Sequence, residues 1–373
     1  MGRITSFIAQ RWKLILNIVT VVALVMLLIF IRHDLVTTFR NLLKVNAWAL
    51  VLMVPLEALN YHAQTKLYLL LFKVVGHKLK YRELMVASLE LNFVNHVFPS
   101  GGAAGISYFS LRLKDEDISG AKATMIQFMK LLLTIFSFES LILLSIFFLA
   151  IGGQVNRFML LVSAILSTLL VVSTGVFIYT IGNRRRIKKV LEFFTIWLNR
   201  LLQWVRPSDK EAINIDKARL VFDEFHDTFM EMRRDHTKMR EPLLYALVMN
   251  LTEVAVIFVV FLAFGHFVNP GAVILAYGIA NFAGFVSVMP GGIGVYETLM
   301  IAVLLAAGVS PNISVPVIIM YRVLNTLLQL PAGYYYYQKE ISKHGKPPRS
   351  AEILWPKQLS LVLVNLLQYS TRL

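Results

Sequence analysis

Apolar runs long enough to cross a bilayer recur along this 373-residue chain, and they decide what it can fold into. They are residues 14–31, 47–72, 121–151, 156–182, 241–268 and 312–337. A helix rises about 1.5 Å per residue, so roughly 20 apolar residues cross a hydrocarbon layer about 30 Å thick. Backbone groups find no water there and must bond within their own segment, as a helix does. The charges agree. They make up 16% of the chain, against about 25% in a soluble domain. Of the 59 charged residues, 24 crowd into residues 183–241. A soluble enzyme, a nucleic-acid reader and a disordered chain are all disfavoured, and the expected class is an all-α polytopic membrane protein.

The net charge of +15 then reads as basic loops beside anionic lipid headgroups, with no nucleic-acid partner. There is no cysteine, which excludes disulfides, thiolate catalysis and cysteine-based zinc sites. Arg3, Arg11 and Lys13 precede the run at 14–31. That run is long for a signal-peptide core and has no A-x-A-like cleavage site, so it reads as a retained span.

Two further apolar regions, 83–113 and 271–308, are each interrupted midway by a Pro/Gly cluster, Pro99-Ser100-Gly101-Gly102 and Pro290-Gly291-Gly292-Ile293-Gly294. The pieces on either side are too short to cross, so each region is expected to form a helical hairpin, re-entrant or built of two short helices, that returns to its starting side. About six full spans plus two hairpins result. With the N-terminus inside, the inner segments 73–83, 183–241 and the tail after Tyr337 carry net charges of +3, +4 and +4. The outer segments 32–46 and 152–157 carry +2 and +1. The positive-inside bias places both termini in the cytoplasm of a cell (inner, cytoplasmic) membrane. Tyr334 to Tyr337 are expected to anchor at the inner interface.

The parts are then a first membrane half (1–182, with a repeat at about 47–151), a cytoplasmic amphipathic insert (183–240), a second membrane half (241–340) and a cytoplasmic tail (341–373). Within the insert, residues 188–205 and 212–233 both show apolar spacings of three and four. Ala218, Phe222, Phe225, Phe229 and Met232 share one face. His226 and His236 match no metal-ligand spacing, and a solvated charged face is the expected role.

The two halves resemble each other. Asn92-Phe93 and Asn281-Phe282, 189 residues apart, precede the two breaks. Pro99 and Pro290 are 191 apart, and Lys130 and Arg322 are 192 apart, each on the long span that follows. The spans leading in carry Glu57 and Asn60 in one half and Asn250 and Glu253 in the other. Under the loop-charge topology the first of these spans runs inward and the second outward, so the repeats are inverted, an arrangement recurrent in transporters.

Several residue types in these repeats suit an anionic ligand. Glycines at a break either admit tight packing or open a helix N-terminus whose N–H groups and dipole attract phosphate. Their recurrence favours the ligand and singles out Gly101, Gly102, Gly291, Gly292 and Gly294 beside Pro99 and Pro290. Lys130 and Arg322 lie near the expected midplane, where a cation faces either a cavity or a partner. Ion pairs with Glu139, Glu57, Glu90 or Glu253 are one reading, and neutralisation of a crossing headgroup is the other. Glu297 is a helix cap, a proton site or a clamp on Arg322. Asn92, Asn95, His96 and Asn281 line the approaches, and His62 and Lys66 share one face of their span.

No G-x-x-x-x-G-K-[ST] loop is present, nor G-x-S-x-G, H-E-x-x-H or CxxC. The reading is of a carrier with no cofactor, not an enzyme. Asn95 to Gly102, which spell N-x-x-x-P-S-G-G, and residues 290–297, which spell P-G-G-I-G-V-Y-E ahead of Tyr321-Arg322, resemble the lysylphosphatidylglycerol synthase transmembrane family, also called flippase-like or UPF0104. The resemblance runs over roughly residues 10 to 340. It implies a polytopic domain that in the full synthases moves aminoacylated phospholipid between leaflets, with stand-alone members linked to lipid or polyprenyl-linked glycan pathways. Too few residues follow Tyr337 for the aminoacyl-transfer domain, and the family often has Glu-Arg where this chain has Gln127 to Lys130. The expected function is ATP-independent flipping of an anionic phospholipid or polyprenyl phosphate. The alternatives are an ion-coupled transporter of a small anion and a lipid-binding accessory subunit. A membrane lipid with an anionic headgroup, a homodimer and a lipid- or glycan-modifying enzyme are the candidate partners.

Overall fold

The apolar runs become helices wherever the structure, a computed structural model, describes them: residues 20–22, 25–26, 29, 32–34, 36–98, 102–153, 155–190, 192–193, 215–234, 236–286 and 292–343. In chain order the main helices are α1 (Met53–Val74), α2 (Tyr81–Val97), α3 (Ala103–Arg112), α4 (Gly120–Ile151), α5 (Arg157–Ile181), α6 (Ile215–Arg234), α7 (Arg240–Ala263), α8 (Pro270–Val286), α9 (Val295–Ala306) and α10 (Pro311–Lys343). Local chemistry sets their ends. The Ser119 hydroxyl accepts from the Lys122 amide at the start of α4, and Asn156 does the same for Met159 at the start of α5.

Among the described residues four helices are long and apolar enough to cross a membrane: α4, α5, α10 and the helix containing α7. The 22-residue α1 has the length, about 33 Å, but carries Glu57, Lys66 and Lys73, with Glu57, Asn60 and Gln64 buried. Half of its residues are buried in the bundle, while Val54 and Leu59 near its start are exposed. Most of the expected first span, 14–31, lies outside the described residues.

Both Pro/Gly clusters interrupt their helices. The pieces have 17 and 10 residues around the first and 17 and 12 around the second, each short of a full crossing. Gly102 begins α3 at φ 85° and Gly294 begins α9 at φ 86°, in the left-handed region that glycine enters without steric cost.

Side-chain packing divides the bundle into two main apolar cores. One gathers the start of α1, the last part of α4, most of α5, the last part of α7, α8 as far as Phe282, α9 and the start of α10. The other gathers the end of α1, the starts of α2, α4 and α7, the end of α3 and one face of α6. α8, as far as Phe282, and α9 thus stay in one core, whereas α1, α4 and α7 pass from one core to the other. Between its two apolar stretches each of these helices turns polar: Glu57, Asn60 and Gln64 on α1, Thr134 and Ser137 on α4, Asn250 and Thr252 on α7.

The helix partnerships are reciprocal. α1 packs along α7, α2 lies against α10, and α8 lies against α4. The last two pairs approach through glycine. A Cβ at Gly333 of α10 would lie 2.6 Å from the Phe93 Cβ, and one at Gly271 of α8 would lie 2.4 Å from the Ser145 carbonyl oxygen. A third, small cluster joins Phe93, Val94 and Val97 of α2 to Tyr337 and Ile341 of α10. This corrects one expectation. Tyr337 is only 3% exposed and packs on Phe93 and Tyr108, so it is no interfacial anchor, whereas Tyr335 is exposed.

Helix α6 explains the charged segment. Phe225, Phe229 and Met232 are buried in the second core, with α6 packed on α4. The charges face outward, where Lys188 pairs with Asp223 at 3.4 Å and Arg184 pairs with Asp227. His226 Nδ1 donates to the Ile181 carbonyl at 2.6 Å, a structural bond. Among the described residues no group of three or more histidine or acidic side chains could hold a metal. Most of the expected helix at 188–205 and the tail after Lys343 lie outside the described residues.

Candidate functional site

Glycine geometry opens both breaks, and packing brings them to one place. Ile293, between Gly292 and Gly294, packs with Phe98 and Ala104, which flank the first break, against the cluster that contains Val97 and Tyr337. Pro99, Gly101, Pro290 and Gly291 lie outside the described residues. Gly292 and Gly294, at φ 70° and 86°, and Gly102 carry the conformations on which the two turns depend.

Arg322 of α10 reaches this meeting place. Its Nε donates to Glu297 Oε1 at 2.7 Å, and its guanidinium lies 4.5 Å from the Tyr296 ring centroid. The second oxygen of Glu297 accepts from the Gly294 amide at 2.7 Å, so the residue both caps α9 and clamps Arg322. From the first break, His96 lies within electrostatic reach of Arg322. Its Nδ1 donates to the Asn92 carbonyl at 2.8 Å, which leaves Nε2 as the ring's acceptor. One arginine thus touches the chemistry of both breaks. The expected ion pair of Arg322 with Glu57, Glu90, Glu139 or Glu253 is replaced by one with Glu297, which local helix capping places at the right height.

Lys130 sits differently. Among the described residues it forms no ion pair, and its ammonium lies 5.1 Å from the Tyr68 ring centroid. The Tyr68 hydroxyl donates to Gln127 Oε1 at 2.8 Å. The aromatic ring stabilises this cation without neutralising it. It lies about 15 Å along α4 from Gly120, and Arg322 lies about as far along α10.

The asparagines divide by task. Asn92 exchanges two hydrogen bonds with Gln64, at 3.1 and 3.3 Å, and ties α2 to α1. The Asn95 side-chain amide presses on Gly105, where a Cβ would fall 2.0 Å from its Oδ1, so a larger residue at 105 would turn that amide away from its present place. Asn281 donates to the Tyr277 carbonyl of its own helix at 2.9 Å. His62 Nδ1 lies 2.9 Å from the Tyr81 hydroxyl, and Lys66 lies near the same ring.

The profile of the family described as "Lysylphosphatidylglycerol synthase TM region" matches residues 14–333. The chain belongs to this family. Among its relatives, a UPF0104 membrane protein of Methanocaldococcus jannaschii is 21% identical over 270 residues, 71% of this chain and 76% of that protein. One from Pyrococcus horikoshii is 26% identical over 181 residues, 48% of this chain and 52% of that protein. The matched region takes in both breaks, Lys130 and Arg322. Apolar helices and family together make this a multi-pass membrane protein with a lipid-related family background.

In this LPG synthase TM-region chain, residues the sequence did not single out also carry the site. Arg112, at the end of α3, donates from Nε to Glu90 Oε2 at 3.1 Å and lies 3.7 Å from Glu340 of α10. Tyr108 donates to the same Glu90 oxygen at 3.1 Å. Glu90 is 1% exposed, so these four residues form an internal latch joining the first hairpin to α10. Its only sequence signal was a cation and an acid in apolar surroundings, and nothing local named their partners.

Proposed function

We propose that this chain is an ATP-independent translocase for a lipid with an anionic, phosphate-bearing headgroup, working in the cell membrane with both termini in the cytoplasm. The observation that carries the reading is the convergence of both glycine breaks at Arg322. A headgroup phosphate entering there would compete with Glu297 for the guanidinium, whose planar fork suits bidentate phosphate contact. Lys130, without a carboxylate among the described residues, offers the complementary point charge.

The reading treats the halves as inverted repeats, with α1 to α4 answering α7 to α10. The reciprocal pairs support this: α1 with its own counterpart α7, and each broken hairpin against the last long helix of the other repeat. It treats α2–α3 and α8–α9 as hairpins that return to their own sides, which their core memberships support. Exchange of conformations between two such halves supplies inward- and outward-open states from one scaffold. Within this scheme α6 belongs to a cytoplasmic insert between the membrane halves.

Proteoliposomes containing fluorescent phosphatidylglycerol test the proposal, with dithionite quenching only the outer leaflet. Wild type is expected to expose the inner-leaflet label to quenching, and Arg322→Ala to abolish that exposure while remaining folded. Wild type no faster than protein-free liposomes, with both phosphatidylglycerol and a polyprenyl phosphate, would refute it.

A further inference from the structure

Two carboxyl groups, Glu57 of α1 and Glu253 of α7, are linked through side chains of α10 inside the bundle. Asn60 of α1 donates to the Met249 carbonyl at 2.8 Å and to the Thr252 hydroxyl at 2.9 Å on α7. Under the inverted topology these two helices run antiparallel. Glu57, three residues before Asn60, then falls opposite Glu253, three residues after Asn250, and their charges interact. Side chains of α10 bridge them. Gln329 Nε2 donates to Glu57 Oε2 at 3.2 Å and to Asn325 Oδ1 at 3.0 Å, and the Asn325 amide lies 3.5 Å from Glu253 Oε2. The Tyr321 hydroxyl donates to that same Glu253 oxygen at 3.1 Å.

The charge balance of this group is unusual. Glu57 is 5% exposed, and its Oε1 is buried without a hydrogen-bond partner among the described residues. Among the described residues neither glutamate forms an ion pair. Arg322 is within electrostatic reach of Glu253, but its Nε is engaged by Glu297. The other titratable groups facing the pair are the tyrosines 61, 277, 296 and 321, neutral donors at physiological pH. A membrane-buried charge without a counterion costs at least about 2.5–3.5 kcal/mol, and two like charges sharing one site are worse. A proton on the pair removes that cost, and the unpartnered Oε1 of Glu57 is a place where it can sit.

We propose that Glu57 and Glu253 form a proton-carrying pair whose loading is coupled to movement of the headgroup. The inference rests on the translocase reading and deepens it by naming the energy source. A proton arriving from one aqueous side converts a carboxylate to a carboxyl and leaves to the other side. No bond in the lipid changes and nothing is oxidised. The placement suits coupling because the pair spans α1 and α7, one from each half, and is bridged by α10, which also carries Arg322. Any rearrangement of the halves must break and remake these bonds.

Two measurements on the full-length protein separate this proposal from the one beneath it. Infrared spectroscopy of purified protein near neutral pH is expected to show the carbonyl band of a buried protonated carboxyl, lost in Glu57→Gln and weakened in Glu253→Gln. Proteoliposomes with an imposed pH difference are expected to accumulate fluorescent phosphatidylglycerol in one leaflet. One pH unit at one proton per lipid can give a bias of up to about tenfold. In Glu57→Gln the ratio of driven to undriven distribution should fall to one. A missing infrared band, a band unchanged in both variants, or a bias that follows a sodium gradient instead overturns the proton pair. An intact, glutamate-dependent band without any lipid exchange refutes the translocase and leaves the proton site standing.

Discussion

Gly333→Ala is the most direct probe of how closely α10 packs against the first hairpin. The new methyl carbon would lie 2.6 Å from the Phe93 Cβ and 2.7 Å from the Leu89 carbonyl oxygen, where ordinary contact begins at 3.4 Å. Neither obstacle can swing aside, because one is backbone and the other is the root of a side chain. α10 and α2 must separate by about 1 Å, and overpacking of this kind costs about 1–3 kcal/mol. The better helix propensity of alanine returns about 0.5–1 kcal/mol. The expected result is a net loss of up to about 2.5 kcal/mol, with the Arg112–Glu340 pair, already at 3.7 Å, among the first contacts to go. Gly175→Ala on α5 is the control, because a Cβ there meets nothing within 4 Å. Thermal inactivation in detergent, followed as loss of the monodisperse peak in size-exclusion chromatography, should place Gly333→Ala below wild type and Gly175→Ala at or above it. Equal midpoints for the two variants would refute the close approach of α10 to α2.

Arg112→Ala leaves Glu90 buried without its cation and is expected to cost about 3–5 kcal/mol. Adding Glu90→Gln should recover much of that loss in the same assay. Lys130→Met removes a cation that has no acidic partner among the described residues, so thermal stability should hold or rise while binding of phosphatidylglycerol weakens. His77, in the loop between α1 and α2, lies 3.0 Å from the Lys122 ammonium, and burial together with that charge lowers its pKa from the usual 6.5. Its neutral form is the one the fold favours. Its contribution to stability is therefore complete above pH 6.5 and fades as pH falls through the lowered value. His77→Gln should flatten that part of the stability–pH profile.

The sequence made the breaks legible because their cause is local. A chain turning at positive φ needs glycine, and Gly102, Gly292 and Gly294 announce the turns without reference to the rest of the fold. Helix starts were readable for the same reason: α4 begins at Gly120 and α10 at Pro311, close to the expected points. Partnerships were not. Arg112 finds Glu90 22 residues away and Glu340 far beyond that, and Gln329 reaches Glu57 across 272 positions. Such bonds depend on which helix faces which, and hydropathy does not encode that. Tyr337 shows the same limit, since four consecutive tyrosines resemble an interfacial belt until Phe93 and Tyr108 close over one of them.

The polar stretches between the two apolar cores have a mechanical consequence. Interlocked hydrocarbon side chains resist sliding, because every shifted methyl group needs a new hollow of its own shape. Amides and hydroxyls are more forgiving, since a donor that leaves one oxygen can pass to the next at nearly equal energy. Asn60, with one amide nitrogen already bonded to two acceptors, sits in such a region. Because α1, α4 and α7 run unbroken through that region, the movement it eases is of one helix along another. The bonded middle is the part of each contact that resists such a slide least.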